Sequence, residues 1–484
     1  MTAGSGGGSG AAEEKSTIRR FAMFMAGFSL LQTLRVAITA GRFAVVRFGI
    51  PSGQIGIFIN SIHHSMETAG DVGLFLMSLY VLFSKRDKTA DYIVSVIAIW
   101  GLFVMNLLLI VAYSVGGERG CLTFYYWVLV IASLGFGLDE SISITIGVAD
   151  VAYFGLGMPL SGIMACLYHA VYLYFAEKFQ WHDTYFWIVI GQILISALVS
   201  GIAAIVWTIA YRNFDPGGTQ ASGEATTSPP SGPSQGPKGG LWKRARGAIS
   251  NMLMCLCGMS CIYAFYPAIA PYQFVSPEAG HLIDLALLFT SAIPSLVIAA
   301  VCSWTDKGPD RPWTKDGKGN FAWWHATWLF MIPYVTAMTL CIFAIHYPNW
   351  RSSRAIYGNI WTTGVITVTL KCCEETLKGV ANSGVGMQSA DNKGDGQLSA
   401  LNALTAQFTM DIVAYIGGGY VKAITKYDRD NWPTKHYGFW RSLGFWVGSA
   451  LSGGLKCVRE SFTTDIRANL ITGNEVLFIV YADE

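Results

Sequence analysis

The residues most able to do chemistry are ionisable side chains set inside long apolar stretches. Each costs roughly 2.5 to 3.5 kcal/mol at the centre of a membrane helix unless it faces protein or water. One stretch carries His63, Glu67 and Asp71 at four-residue spacing, with His64 adjoining. On a helix these share one face. The stripe reads as the polar wall of a solute path, with His63 or Glu67 able to exchange a proton, or as a buried network tying the helix to its neighbours. Its spacing matches no metal-ligand motif. A second stretch holds Asp139-Glu140 just after Gly135-Phe136-Gly137. Neighbouring helical positions point about 100° apart, so one carboxylate faces a narrow path and the other turns to a basic partner, with Arg35 and Arg42 as candidates. Further on, Lys371 and Glu375 stand four apart and can neutralise each other, with Glu374 beside them and Asp411 in the next apolar run.

These groups need an apolar scaffold, and the composition supplies one. The 484 residues are 52% hydrophobic and 13% charged, and the mean hydropathy is +0.41. A soluble chain could not cover that with polar surface, so the reading is an all-α polytopic membrane protein. Runs of span length lie near 21–46, 54–83, 92–115, 123–148, 151–176 and 184–211, then near 248–272, 279–303, 321–346, 355–378 and 398–424. That predicts about eleven transmembrane helices in a 6+5 arrangement. Residues 1–20 read as a cytoplasmic tail, 21–212 as the first bundle, 213–247 as a flexible Pro/Gly/Ser-rich linker, and 248–425 as the second bundle. Residues 426–484 form a tail in which 437–458, with Arg441 and Lys456, reads as an interfacial helix.

Basic residues orient the chain. Lys15, Arg19, Arg20, Lys85, Arg86, Lys88, Lys238, Lys243, Arg244, Arg246, Lys307, Arg311, Lys315 and Lys318 gather on one side, against Arg47, Arg119, Lys178, Arg351 and Arg354 on the other. By the positive-inside rule the N-terminus and linker are cytoplasmic, and eleven spans leave the C-terminus outside. The plasma membrane is the expected location. The seventh run, Met252 to Gln273, closes on Pro267 and Pro271. These prolines end the helix at the interface or break it beside a cavity, and the long linker ahead of them favours the break.

Several classes are excluded or unsupported. No GxxxxGK[ST] cradle is present for ATP, no HExxH or Ser/His/Asp pattern suggests a hydrolase, and no nucleic-acid signature appears. The cysteines, among them Cys255, Cys257, Cys261, Cys302, Cys372 and Cys373, lack zinc spacing and read as packing residues. No cofactor and no metal is implied; the expected partners are the lipid bilayer and a small polar solute, with the oligomeric state open.

Three short motifs carry a family resemblance. Gly27-Phe28-Ser29-Leu30-Leu31-Gln32-Thr33-Leu34-Arg35-Val36-Ala37-Ile38-Thr39-Ala40 follows the frame G-x-x-x-L-L-P-W-N-x-x-I-T-A, with Gln32, Thr33 and Leu34 in place of P-W-N. Pro159-Leu160-Ser161-Gly162-Ile163-Met164-Ala165 matches a Ser-Gly segment, and Phe265-Tyr266-Pro267-Ala268-Ile269 an F-P-A/S-I/V element. In these the chain resembles the equilibrative nucleoside transporter family, as a divergent member, and its loops resemble the Tpr-related multi-transmembrane families of piroplasms. The stretch Phe289 to Leu296 lacks the D-x-x-x-R of that family. The resemblance implies a major-facilitator-like fold and facilitative transport of a nucleoside or nucleobase. It places a substrate contact at Asp139 and Glu140.

The expected path residues are then Thr33, Arg35, His63, Glu67, Asp139 and Glu140, with Phe265 and Tyr266 stacking or gating. The rival expectation is a non-transporting surface or scaffold protein that kept the fold. The missing D-x-x-x-R and P-W-N favour it and the retained intramembrane charges oppose it.

Overall fold

The computed structural model describes residues 7–50, 55–84, 88–212, 240–267, 269–313, 321–388, 394–427 and 431–461. Every regular element among them is helical. Helix α1 runs in three pieces, Gly7–Leu30, Gln32–Thr39 and Gly41–Arg47, and is followed by α2 (Ile55–Phe83), α3 (Lys88–Ser114), α4 (Leu122–Ile146), α5 (Val151–Lys178) and α6 (Thr184–Tyr211). The second half comprises α7 (Ile249–Ser260, then Ile262–Phe265), α8 (Pro277–Thr290, then Ala292–Trp304) and α9 (Ala322–Phe330, then Met331–His346). It ends with α10 (Ile360–Val385), α11 (Gly396–Ile424) and α12 (Phe439–Ser461).

Among the described residues eight helices are long and apolar enough to cross a membrane, nine when Leu241–Gly247 and α7, bent by 74°, count as one. The chain is therefore an integral multi-pass membrane protein. Helix α10 has the length to span but carries Lys371, Glu374, Glu375 and Lys378 midway.

Local chemistry sets the ends of the helices that carry the charges. The Asn359 side chain accepts the Trp361 and Thr362 amides at 3.0 and 3.2 Å and so caps α10. The Asp395 carboxylate accepts the Leu398 amide at 3.2 Å and caps α11. Such a cap satisfies donors that have no partner inside the helix and contributes about 1 kcal/mol. Arg244 pairs with the same Asp395 and reaches Gln397 at 2.8 Å. This ties Leu241–Gly247, inside the stretch expected as flexible linker, to the start of α11. Residues 213–239 of that linker lie outside the described residues, as do 462–484 of the expected tail.

Small residues let the helices close on one another. A Cβ on Gly137 would run into the Gly70 carbonyl, and one on Gly73 into the Leu134 carbonyl, so α2 and α4 touch backbone to backbone. The α11–α12 contact is similar: Gly419 lies against the Ala450 carbonyl and Gly453, and Tyr427 meets Trp446 a few turns away. Helix α12 thus packs along α11 in the opposite direction. Its other face exposes Trp440, Leu443, Val447, Leu451, Leu455 and Val458.

The seventh run differs from the expected kink. Helix α7 stops at Phe265, so Pro267 and Pro271 stand beyond its end in a series of turns. Ile269, Ala270 and Phe274 in those turns are buried, which puts the non-helical backbone inside protein and not in lipid.

Candidate functional site

Helix α10 gathers the charges most tightly. Lys371 Nζ lies 2.6 Å from Glu374 Oε2 and 3.1 Å from Glu375 Oε1; Lys378 Nζ lies 3.0 Å from Glu374 Oε1 and 2.8 Å from Glu375 Oε2. The sequence Lys-x-x-Glu-Glu-x-x-Lys places both acids three or four residues from both bases, so one helical face closes a neutral ring of four. Lys378, overlooked in the sequence reading, could have been found from that spacing alone.

On α2 the stripe is continuous. His63 Nε2 is 3.4 Å from Glu67 Oε1, and its ring meets the Tyr263 ring of α7 at 5.6 Å. Lys371 stands over the same Tyr263 ring at 5.9 Å. His64 stacks on Tyr415 of α11 with centroids 5.3 Å apart.

The expected pairing of Asp139 or Glu140 with Arg35 does not form. Arg35 Nε instead reaches Ser161 Oγ of α5 at 3.5 Å, with Gly162 against the guanidinium. The Arg42 side chain lies outside the described residues. Asp139 is fully buried and accepts the Ser143 hydroxyl at 3.1 Å, one turn along its own helix. Glu140 lies near Gln407 on α11 and lines the space between the two halves. The adjacent carboxylates therefore have different surroundings, one inside its bundle and one between bundles.

Glu140 also lines a cleft with Lys378, Asn382, Ser295, Ile298 and Met158. Its walls come from α4 and α5 on one side and α8 and α10 on the other. As it stands in this structure the cleft is tight, with about 30 Å³ of free volume, room for a water or two. Asn382 accepts from the Asn402 amide at 2.7 Å and from Cys255 Sγ at 3.3 Å, which fixes its orientation from two helices.

Thr33, Phe265 and Tyr266 are the remaining expected residues. Thr33 is buried in α1, next to Gln32, whose Oε1 accepts the Ser196 hydroxyl of α6 at 3.2 Å. Phe265 and Tyr266 both pack against the second bundle's core, Tyr266 near Asp284 on α8. Tyr263, one turn earlier, is the ring that meets His63. Its role was not legible, because the turn of α7 that faces α2 depends on how the helices pack.

The two halves also meet away from the cleft. Thr68 and Tyr415 hydroxyls are 2.5 Å apart, and Gln397 Nε2 donates to the Val81 carbonyl at 3.1 Å, so α2 and α11 run side by side. Tyr153 and Ser303 hydroxyls, 2.6 Å apart, join α5 to α8. Two bundles, α1–α6 and α7–α12, enclose a polar centre between paired seams.

The arrangement of helices is similar to that of a solved structure. The major facilitator superfamily proton:xylose symporter XylE superposes with a TM-score of 0.51 at 10% identity, over 93% of this chain and 95% of its own. The fold is major-facilitator-like. Two further solved structures with that look are a bacterial homologue of the iron transporter ferroportin (TM-score 0.49, 10% identity, 93% and 99% covered) and the E. coli fucose:proton symporter FucP (0.48, 12%, 96% and 99%). No family model matches the sequence, and no curated protein matches it. The cleft lies where helices α4 and α5 face α8 and α10.

Proposed function

We propose that this chain is a facilitative transporter that carries a small polar solute across the membrane by alternating access, with a nucleoside or nucleobase as the solute. One observation carries the reading: Glu140 from the first bundle and Lys378 from the second line one cleft at the boundary between them. A solute held there touches both bodies, so a rocking motion that exposes the cleft to either side in turn moves it across. XylE, a proton:xylose symporter, carries a small polar solute on this fold. The nucleoside class follows the resemblance in the first span and is supported by the Tyr263, His63 and Tyr266 rings near the charges, which can stack a base while carboxylates accept from hydroxyl and amino groups.

Uptake of tritiated adenosine, hypoxanthine and glucose into vesicles, wild type against the Asp139→Ala, Glu140→Ala double variant, tests it. Purine uptake that the variant loses supports the reading. Correctly inserted protein that takes up no purine sinks the nucleoside assignment.

The rival is a non-transporting protein that kept the fold. The self-neutralised ring on α10 favours it, since those four charges satisfy one another without a solute.

A further inference from the structure

The charges at the boundary do not balance. Lys371 and Lys378 are fully engaged with Glu374 and Glu375. Glu67, Asp71, Glu140 and Asp411 remain, all buried, with Arg35 as the nearby guanidinium. Two of these acids come from opposite bundles and face each other. The α2–α11 register sets buried Asp71, three residues past Thr68, opposite buried Asp411, four residues before Tyr415. Their position follows from the helix register, since the Thr68–Tyr415 contact lies one turn away and Gln397–Val81 further along the same seam. Asp71 is 6% exposed, and neither of its oxygens has a hydrogen-bond donor.

The two carboxyl groups face each other in a buried seam, and among the described residues no basic side chain is paired to either. In a dry site two like charges so close repel strongly, and one shared proton removes the repulsion and makes the bond. The metal alternative lacks donors, because among the described residues no group of three His, Cys, Asp or Glu side chains converges.

We propose that Asp71 and Asp411 form a proton-binding site that joins the two bundles. One proton sits on one carboxyl and is donated to the other while the seam is closed. When the bundles part, it leaves for solvent and both carboxylates become charged. The surroundings suit this. Glu67 on α2 and Glu140 on α4 bring negative charge near Asp71, and Glu67 does the same for Asp411. Lys378 on α10 lies near Glu140, while Lys371 and Arg35 lie near Glu67. Cys457 on α12 approaches α11 at Gly418, two turns from Asp411, and His64 adjoins that glycine from α2. The proposal deepens the transport reading, since the rocking of the two bundles is what would release the proton.

Infrared spectroscopy of the reconstituted protein, with no solute added, tests the site directly. At neutral pH the wild type should show a protonated-carboxyl band that Asp71→Asn and Asp411→Asn each reduce by the same amount. The double variant should lose no more than either single one, because both remove one and the same proton. An unchanged band in either single variant, or additive losses in the double, overturns the proposal. If the Asn variants do not fold, isotope-labelled aspartate in an Asp139→Asn background reads the same band, and its absence at neutral pH overturns the site. A Val81→Cys, Gln397→Cys disulfide that holds the seam closed should keep the band in alkaline buffer where the unlocked protein loses it; equal loss in both overturns the release step. Tritiated adenosine uptake is measured alongside. Its absence with the infrared signature intact refutes the solute and supports the proton site.

Discussion

The Tyr415 hydroxyl of α11 stands 2.5 Å from Thr68 Oγ1 of α2, joining two bundles through residues 347 positions apart in the chain. Together with Gln397 on the Val81 carbonyl, it holds one seam of the molecule closed along much of its length. If the bundles rock, that seam has to yield at one end. A disulfide between Val81→Cys and Gln397→Cys should abolish adenosine uptake under oxidising conditions, and a reductant should restore it. Uptake that continues through the cross-link would rule out opening at this end.

The ring on α10 predicts an asymmetric response to substitution. Lys378→Met leaves Glu374 and Glu375 sharing one cation in a buried setting, and breaking a buried pair in this way costs about 3–5 kcal/mol. Thermal unfolding in detergent should show a clear drop in midpoint. A companion Glu375→Gln should recover most of it, because the remaining Lys371 and Glu374 again match. Equal midpoints for wild type and Lys378→Met would mean that the ring does not stabilise the fold.

The neighbouring acids of α4 separate function from folding. Glu140 lines the cleft while Asp139 is bonded to Ser143 inside its bundle. Glu140→Gln should reduce adenosine uptake about tenfold, equivalent to about 1.4 kcal/mol. Asp139→Asn should preserve uptake per folded molecule. Vesicle uptake normalised to inserted protein reads both, and the reverse ranking would exchange the two roles.

Two glycines two residues apart on α4 should behave oppositely. A Cβ on Gly137 meets the Gly70 backbone, which cannot move aside, so Gly137→Ala should destabilise by about 1–3 kcal/mol or more. At Gly135 the nearest atom to an added Cβ is Leu102 Cδ2 at 3.6 Å, an ordinary contact. Gly135→Ala should be neutral or slightly stabilising, since alanine loses less backbone entropy in a helix. Unfolding midpoints of the purified variants compare the pair.

The outward stripe on α12 bears on topology. Trp440 to Val458 spans about 27 Å at 1.5 Å per residue, close to the thickness of a hydrocarbon core. We expect α12 to cross the bilayer beside α11, which would place both termini on the same side, in contrast to the external C-terminus that eleven spans imply. Protease accessibility of tags at each end in sealed vesicles decides it, and opposite accessibility would return α12 to the interface.

The sequence by itself determined the class of the molecule and the inventory of its buried charges. Apolarity sums along the chain, so helices of membrane length and the charged positions within them could be read without knowing any contact. The Lys371–Glu375 pairing was legible too, and Lys378, which was missed, obeys the same rule, because i, i+3 and i, i+4 neighbours meet wherever that helix goes. Contacts between helices were not. Arg35 bonds to Ser161 and not to the carboxylates of α4, Glu140 and not Asp139 reaches the cleft, and Asp71 and Asp411, far apart in the chain, share the seam marked by Thr68 and Tyr415. Each depends on how far one helix is rotated and slid against another. Small-residue packing at crossings such as Gly70–Gly137 and Gly419–Gly453 sets that rotation and register, and neither is encoded in the spacing of residues along a single helix.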